Sequence, residues 1–173
     1  MKQLKGYQPL CILKDKLLLY KRNKLFLYDL NQASYQLVMD LSSSFTKRIM
    51  GVSRLLSRAF RLGIKTTLSI NNDEVLLTFD RSLYYVSLSK KRLRKIFSVK
   101  PGFSESLNIS IPLRGAPYIA LFGDYGSNKE RQKVSIYGVN KELVIKEIYN
   151  FPSKTIRHIH NIVPDEFKKG YYI

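Results

Sequence analysis

The sequence predicts an all-β fold, a partial β-propeller of about three four-stranded meander blades with one inserted amphipathic basic helix. Three observations support this prediction: short apolar runs between turn residues, repetition of those runs along the chain, and many aromatic residues. The 173 residues include 12 Tyr and 9 Phe but no Trp, and aromatic side chains are enriched in strands. A chain of this length can also bury a sizeable core.

Four short apolar runs near the N-terminus predict strands, at residues 10–13, 16–20, 25–30 and 35–41. Turn-forming sequences such as Lys-Asp, Lys-Arg-Asn and Asn-Gln-Ala-Ser separate them. Short apolar runs bounded by such turns are typical of a meander of strands. We therefore expect the first blade in this region.

The same pattern returns further along the chain. The run at 16–20 corresponds to 74–78, and the run at 25–30 corresponds to 83–88, both 58 residues later (74 against 16, and 83 against 25). Residues 94–99 are the counterpart of 35–41, and a looser third copy predicts strands at 118–123, 133–139 and 143–149. Repetition of meander units at roughly 40–50 residues is typical of propeller blades.

An inserted helix over 44–65 accounts for the long first spacing. Ser44 can cap the start of this segment and Gly63 can end it. Ile49 and Leu56 represent an apolar face. The opposite face carries five basic residues at helical spacing, namely Lys47, Arg54, Arg58, Arg61 and Lys65. The segment therefore predicts an amphipathic basic helix within an otherwise β chain.

The C-terminal residues predict a blade that is not completed. Residues 155–163 suggest a strand, 164–170 a turn, and 171–173 the start of another strand. An apolar strand left at the end of a sheet has an unpaired edge, which is a liability for a finished domain. We expect residues 1–173 to form a single, incomplete and truncated propeller domain.

The charge of the chain indicates the class of its partners. The formal net charge is +17, which favours an acidic glycan or another polyanion, with nucleic acid left open. Segment 47–65 allows peripheral contact with an anionic membrane. There is no signal-peptide core and no apolar run of roughly 18 residues, so we predict a cytoplasmic protein without a transmembrane segment. The single cysteine, Cys11, excludes an intramolecular disulfide, and the oligomeric state stays open.

Residues 122–131 and 155–160 contain the candidate site. On an extended strand, His158 and His160 point to the same face, where they can chelate a metal or contact an anion. Asp124 or Asp165 could complete a metal shell. Two histidines without a fixed third ligand are weak evidence for a metal, so we predict neither a metal nor a cofactor. Two interpretations stay open: a polar pocket facing the propeller channel, and two strand histidines that hydrogen-bond to backbone or water.

Other motifs carry less information. The basic run at 90–95 can resemble a nucleic-acid patch, but its position between two predicted strands favours a solvated hairpin turn. The chain has no Gly-rich phosphate loop and no Gly-x-Ser-x-Gly elbow. Its 13 carboxylates do not single out a glycosidase pair, and Asp124 is only a weak catalytic candidate.

The residues from Phe122 to Asn128 read Phe-Gly-Asp-Tyr-Gly-Ser-Asn, with an arginine three positions later and Arg-His-Ile-His at 157–160. This segment resembles a bacterial family of sialidase-like, BNR-repeat propeller proteins. Members of that family have a Phe-Gly-Glu-Tyr-type turn followed by an Arg-His-x-His strand, and some are glycosyl hydrolase-like. The resemblance implies that the chain covers only the N-terminal half of a propeller.

Departures from that family argue against an enzyme. Asp124 replaces the family's Glu, and 137–144 replaces its Asp-box without the Asp, Thr or Trp. We therefore predict a degenerate or truncated sialidase-like propeller that binds a glycan or other anionic ligand. The alternatives are a glycoside hydrolase and a polyanion or membrane adaptor that uses 47–65. The predicted ligand-binding residues are Tyr125, Asn128, Arg131, Arg157, His158 and His160.

Overall fold

The computed structural model describes residues 4–41, 63–104 and 108–173. Throughout these ranges the regular secondary structure is β, with 14 strands and no helix. The strands form three four-stranded antiparallel sheets and one two-stranded sheet. The same ranges contain no helix with the length and apolar character that crossing a bilayer requires.

The first sheet is a meander in which each strand pairs with the next along the chain. The turn between its second and third strands is formed by Arg22 and Asn23, whose φ angles are 50° and 62°. Positive φ at both positions is typical of a type I′ turn, whose twist matches antiparallel strands. The strands are β1 (Gln8–Leu13), β2 (Lys16–Lys21), β3 (Lys24–Asp29) and β4 (Ser34–Asp40).

The second sheet repeats this arrangement. The turn between its second and third strands, Asp80 and Arg81, has φ angles of 49° and 55° and lies 58 residues after the equivalent turn of the first sheet. The predicted repeat is therefore confirmed by turn geometry as well as by strand order. The strands are β5 (Thr67–Ser69), β6 (Glu74–Phe79), β7 (Ser82–Ser87) and β8 (Arg92–Ser98).

The third sheet has the same order, and a hairpin follows it. The sheet contains β9 (Ile109–Ser110), β10 (Ala120–Gly123), β11 (Val134–Val139) and β12 (Ile145–Phe151). The hairpin pairs β13 (Val163–Asp165) with β14 (Gly170–Tyr172). Three four-stranded meanders confirm the predicted blades, whereas the short first strands β5 and β9 were not predicted as strands.

Three predictions from the sequence need correction or lie outside the described residues. Residues 155–162 are not a strand, because they form isolated hydrogen bonds rather than a ladder, and β13 begins only at Val163. The predicted helix falls mostly on 44–62, outside the described ranges, and 63–65 is not helical. In the basic run at 90–95, only Lys90 and Lys91 belong to the turn, since β8 begins at Arg92.

The sheets pack face to face, with an apolar cluster between each successive pair. Leu76 and Leu77 show how one strand serves two interfaces, because neighbouring side chains of a strand point to opposite faces. Leu77 packs with Leu18 and Leu25 of the first sheet. Leu76 packs with Phe122 of the third sheet. Both leucines are fully buried, and burying such a side chain stabilises the fold by about 1.5–3 kcal/mol.

The far face of the third sheet is covered by irregular segments. Leu121, Val134 and Ile136 pack there against Phe103, Ile159 and Ile162. These segments come from the chain before β9 and from the chain between β12 and β13. Their buried apolar residues fix the backbone on which the candidate site is built.

Candidate functional site

An open pocket lies beside the third sheet, where three irregular segments meet one turn of the second sheet. Its volume is about 520 Å³, within the range of small-molecule sites. The lining comes from the β6–β7 turn, the chain before β9, the turn after β10 and the chain before β13: Arg81, 102–104, 125–127, Arg157 and His158.

Gly126 allows two of these segments to approach closely. Its φ is +145°, and a Cβ atom there would lie 2.8 Å from the Ser104 backbone nitrogen and 3.0 Å from the Phe103 Cα. The Ser104 amide donates to the Tyr125 carbonyl at 2.7 Å. A side chain at Gly126 would push these segments apart, so this glycine is required by the pocket's backbone.

Asn128 does not line the pocket, but its hydrogen bonds connect backbone segments around it. Its side-chain amide donates to the carbonyls of Gln132 at 3.0 Å and Arg157 at 2.9 Å. Its side-chain oxygen accepts the Gln132 amide at 2.8 Å, and its backbone amide donates to the Gly102 carbonyl at 3.3 Å. With 2% of its surface exposed, Asn128 holds three backbone segments in place.

Arg131 also lies outside the pocket lining. It is exposed, has a φ of 52°, and exchanges backbone hydrogen bonds with Asn128 and Lys154. Of the six predicted ligand-binding residues, Tyr125, Arg157 and His158 line the pocket. His160 adjoins them through the rings of Tyr125 and His158.

Arg157 is fixed by a backbone carbonyl. Its Nε donates to the Ser127 carbonyl at 2.8 Å, while the side chain remains exposed. A guanidinium group has five N–H donors, so this bond leaves the terminal nitrogens available for a planar anion. The neighbouring Arg81 donates to the Lys100 carbonyl at 3.3 Å.

Two imidazoles and a phenol form a ring cluster at the edge of the pocket. The His158 and His160 ring centroids are 4.6 Å apart, and the Tyr125 ring packs against them at 4.9 Å and 5.5 Å. The two Nε2 atoms lie 2.9 Å apart. His158 Nδ1 lies 2.7 Å from the Gly126 carbonyl, which can only accept, so Nδ1 carries the proton.

Asp124, the weak catalytic candidate, turns away from the pocket into the sheet. Its carboxylate accepts the Ser135 amide at 2.9 Å and the Tyr137 hydroxyl at 3.2 Å, and pairs with Lys100 Nζ at 3.5 Å. Burial raises the pKa of this carboxyl above its ordinary value, although the Ser135 hydrogen bond and the Lys100 charge act in the opposite direction.

Glu147 completes this closed cluster, defined as Lys100, Asp124, Ser135, Tyr137 and Glu147. The Ser135 hydroxyl donates to the Glu147 carboxylate at 2.9 Å, and Lys133 Nζ pairs with the same carboxylate at 2.8 Å. The hydrogen bond from Lys133 lowers the pKa of Glu147. In the described part of the chain, no three His, Cys, Asp or Glu side chains are arranged to hold a metal ion.

Sequence reasoning missed Arg81, Ser104 and Ser127 as pocket residues. Ser127 lies inside the segment that the sequence singled out, so its position was a usable signal. Arg81 belongs to a turn of the preceding sheet and Ser104 to an unremarkable loop. Only the packing of one sheet on the next brings them to the pocket.

Comparison with known proteins supports the fold but not the predicted family. No family model and no curated protein match the chain. Among solved structures, the chain is similar to the N-terminal domain of Nup159, a β-propeller, with a TM-score of 0.51 and 10% sequence identity. The match covers 87% of this chain and 32% of that chain, so the chain spans about a third of the length of its structural neighbour.

The predicted resemblance to sialidase-like, BNR-repeat proteins is therefore wrong. The motif residues have local structural reasons instead. Gly126 is required by its φ and by the close approach of Ser104, and Asn128 bonds to neighbouring backbone. What the comparison shows for this chain is an all-β, propeller-like fold.

Proposed function

We propose that this protein is a binding module for a ligand with an anionic group, and that the pocket beside the third sheet is its site. The observation that carries the proposal is the charge of the lining. Two arginines, Arg81 and Arg157, line the pocket, and no carboxylate does so among the residues that the structure describes. A cationic recess of this kind attracts anions and orients them.

The chemistry of Arg157 indicates a carboxylate or phosphate group. Its guanidinium is held through Nε by the Ser127 carbonyl, so the fork of terminal nitrogens is already oriented before a ligand arrives. Bidentate pairing with a carboxylate or phosphate is the strongest contact this group makes. The half-buried Tyr125 ring, also in the lining, offers an apolar surface beside it.

Calorimetric titration tests the proposal with three probes. A uronic-acid disaccharide and a sugar phosphate supply the two anionic groups, and a neutral disaccharide is the control. We expect one of the anionic probes to bind with 1:1 stoichiometry and the neutral sugar not to bind. Affinity should fall with added salt, since exposed charges are screened. Absence of binding by both anionic probes contradicts the proposal.

Matched arginine variants locate the site. Arg157→Ala should weaken binding by about 10–100-fold, because a hydrogen bond to a charged group contributes about 1.5–3 kcal/mol. Arg94→Ala removes the same charge from an exposed position of β8 outside the pocket lining and should leave affinity nearly unchanged. If both variants weaken binding equally, the attraction belongs to the whole +17 chain and the pocket is not the site.

A further inference from the structure

We propose that His158 and His160 form a binding site for a divalent transition-metal ion that accepts square-planar coordination, with Cu²⁺ as the strongest binder. The two Nε2 atoms lie 2.9 Å apart, and the rings meet at 70°. Imidazole nitrogen suits copper, nickel and zinc. The site does not depend on the anionic ligand proposed above.

The distance between the two nitrogens favours one geometry. With a metal–nitrogen bond of about 2.0 Å, two adjacent ligands of a square-planar ion lie about 2.8 Å apart, and two ligands of a tetrahedral ion about 3.3 Å apart. The observed 2.9 Å is close to the first value. A tetrahedral ion such as Zn²⁺ would have to separate the rings further.

The hydrogen bond on the far side of His158 prepares that ring as a ligand. Nδ1 donates to the Gly126 carbonyl, so in the neutral ring Nε2 carries a lone pair. Metal-binding histidines commonly donate their other ring N–H to a carbonyl or carboxylate, which fixes the ring and its tautomer. With both rings neutral, His160 Nε2 donates to His158 Nε2. When the metal takes the Nε2 position of His160, that ring keeps one proton, which moves to its Nδ1 by exchange with water.

The backbone holds both rings on one side of the chain. Ile159, between them, is 3% exposed in the apolar cluster of the third sheet, and its amide donates to the Asp124 carbonyl at 2.9 Å. Burial of Ile159 leaves the histidines on the opposite side, with Tyr125 packed against both. The two rings are thus held together before the metal binds, although His160 must first free its Nε2 of the proton, and water would supply the remaining ligands.

Copper titration tests the inference directly, because the chain has only these two histidines. The full-length protein should bind one Cu²⁺ by calorimetry, and electron paramagnetic resonance should show coupling to two nitrogens. Affinity should decrease from Cu²⁺ to Ni²⁺ and Zn²⁺. Binding that is strongest for Zn²⁺ contradicts the square-planar assignment.

Single variants identify the ligands. His158→Ala and His160→Ala should each weaken Cu²⁺ binding at least about tenfold, since even changes around metal ligands cost about 10–100-fold. Circular dichroism establishes that each variant is folded, and His158→Gln replaces His158→Ala if that variant is not. Copper binding that survives removal of both histidines overturns the proposal.

Two control variants distinguish the copper site from a cysteine ligand and from the anion-binding residue Arg157. Cys11→Ser should retain copper binding, since burial raises the pKa of the Cys11 thiol to about 11 and thereby opposes formation of the metal-binding thiolate. Arg157→Ala should also retain it, even though that variant is expected to lose the anionic ligand. Loss of copper binding in either variant contradicts the two-histidine site.

Discussion

Asp124 and Tyr125 are neighbours in the chain, yet they belong to two very different polar environments. Asp124 is 5% exposed within the closed cluster, where its carboxylate has the Ser135 amide, the Tyr137 hydroxyl and Lys100 as partners. Tyr125 lines an open pocket beside Arg157 and His158. One peptide unit therefore separates a set of internally paired charges from a pocket in which the Arg157 guanidinium faces solvent.

Comparing the closed cluster with the pocket shows how a cationic side chain stays available to bind an anion. In the closed cluster Lys100 pairs with a carboxylate, so its charge is balanced within the protein. In the pocket, a backbone carbonyl orients the Arg157 guanidinium. A carbonyl fixes the direction of an N–H group but does not cancel its charge, so the positive potential remains directed outward. We expect the closed cluster to determine stability and the pocket to determine binding.

Removing the Asp124 carboxylate should have the largest effect on stability. Asp124→Ala leaves the Ser135 amide and the Tyr137 hydroxyl without their acceptor. Lys100 loses its pairing with Asp124 and keeps the Ser135 hydroxyl at 3.4 Å and Glu147 at 4.0 Å. Although burial makes the ionised carboxylate costly in itself, unsatisfied buried donors cost more. We expect a loss of about 2–3 kcal/mol in the free energy of unfolding, discounted because Lys100 is partly exposed.

Urea denaturation of wild-type protein, Asp124→Ala and the isosteric Asp124→Asn measures this effect. The asparagine retains one acceptor oxygen and should lose less than alanine does. Unchanged stability in Asp124→Ala would show that the closed cluster is not the stabilising region.

Gly126→Ala should reduce both stability and probe binding, and its loss of stability should be smaller than that of Asp124→Ala. Its φ of +145° disfavours alanine, and the added Cβ would lie 2.8 Å from the Ser104 nitrogen. We expect a loss of about 1–3 kcal/mol, together with weaker binding of the anionic probe because the segments lining the pocket must separate. Chemical denaturation and calorimetry on the same preparation measure the two effects.

Gly115→Ala is the matched control for this substitution. Gly115 also has positive φ, +83°, but a Cβ atom added there would meet no other atom within 4 Å. The substitution should cost only the backbone strain of a positive φ, about 1–2 kcal/mol, and should leave probe binding unchanged. Equal effects from both glycine variants would mean that the contact with Ser104 is not important.

The longer strands were predictable because each has a local cause in its own sequence. Short apolar runs bounded by turn residues made 16–20 and 74–78 visible as β2 and β6, and the repeat placed equivalent turns 58 residues apart. The short strand β9 has only two residues, too few to carry a periodic signal. Its pairing with β10 arises from the sheet rather than from its own sequence.

The pocket was only partly predictable, because polar residues of the same type can either hydrogen-bond to neighbouring backbone or contact a ligand. His158 and His160 were identified by their spacing, and they do meet although residues 155–162 are not a strand. Asn128 was expected to contact a ligand but instead bonds to neighbouring backbone. Arg81 reaches the pocket from another sheet, and no local pattern predicts contacts between sheets.

Within the closed cluster, the two carboxyl groups should titrate in opposite directions. Burial raises the pKa of Asp124 above its ordinary value of 3.8, and the Lys133 hydrogen bond lowers that of Glu147 below 4.5. Carbon-detected NMR of the carboxyl groups between pH 2 and pH 7, a range of about five units around ordinary carboxyl values, measures both midpoints. An Asp124 midpoint below 3.8 would contradict desolvation as the dominant cause.

These shifts give opposite contributions to stability. A raised pKa means that folded protein binds the Asp124 proton more tightly, so its contribution falls as pH rises from 3.8 through the folded-state value. Glu147 contributes stability above 4.5 that is lost as pH falls through its own lowered value. Asp124→Asn should therefore remove a contribution to the free energy of unfolding that decreases as pH rises. Glu147→Gln should remove a contribution that increases as pH rises.

The smallest effect on stability is expected for His160→Ala, a substitution in the ring cluster beside the open pocket. His160 is exposed, and its side-chain contacts are with the Tyr125 ring and the His158 ring. Truncation should change the free energy of unfolding by less than about 0.5 kcal/mol, as is usual for surface positions. A loss comparable to that of Asp124→Ala would mean that the ring cluster is part of the stabilising core. A folded, stable variant that no longer binds copper would instead assign this side chain to ligand binding alone.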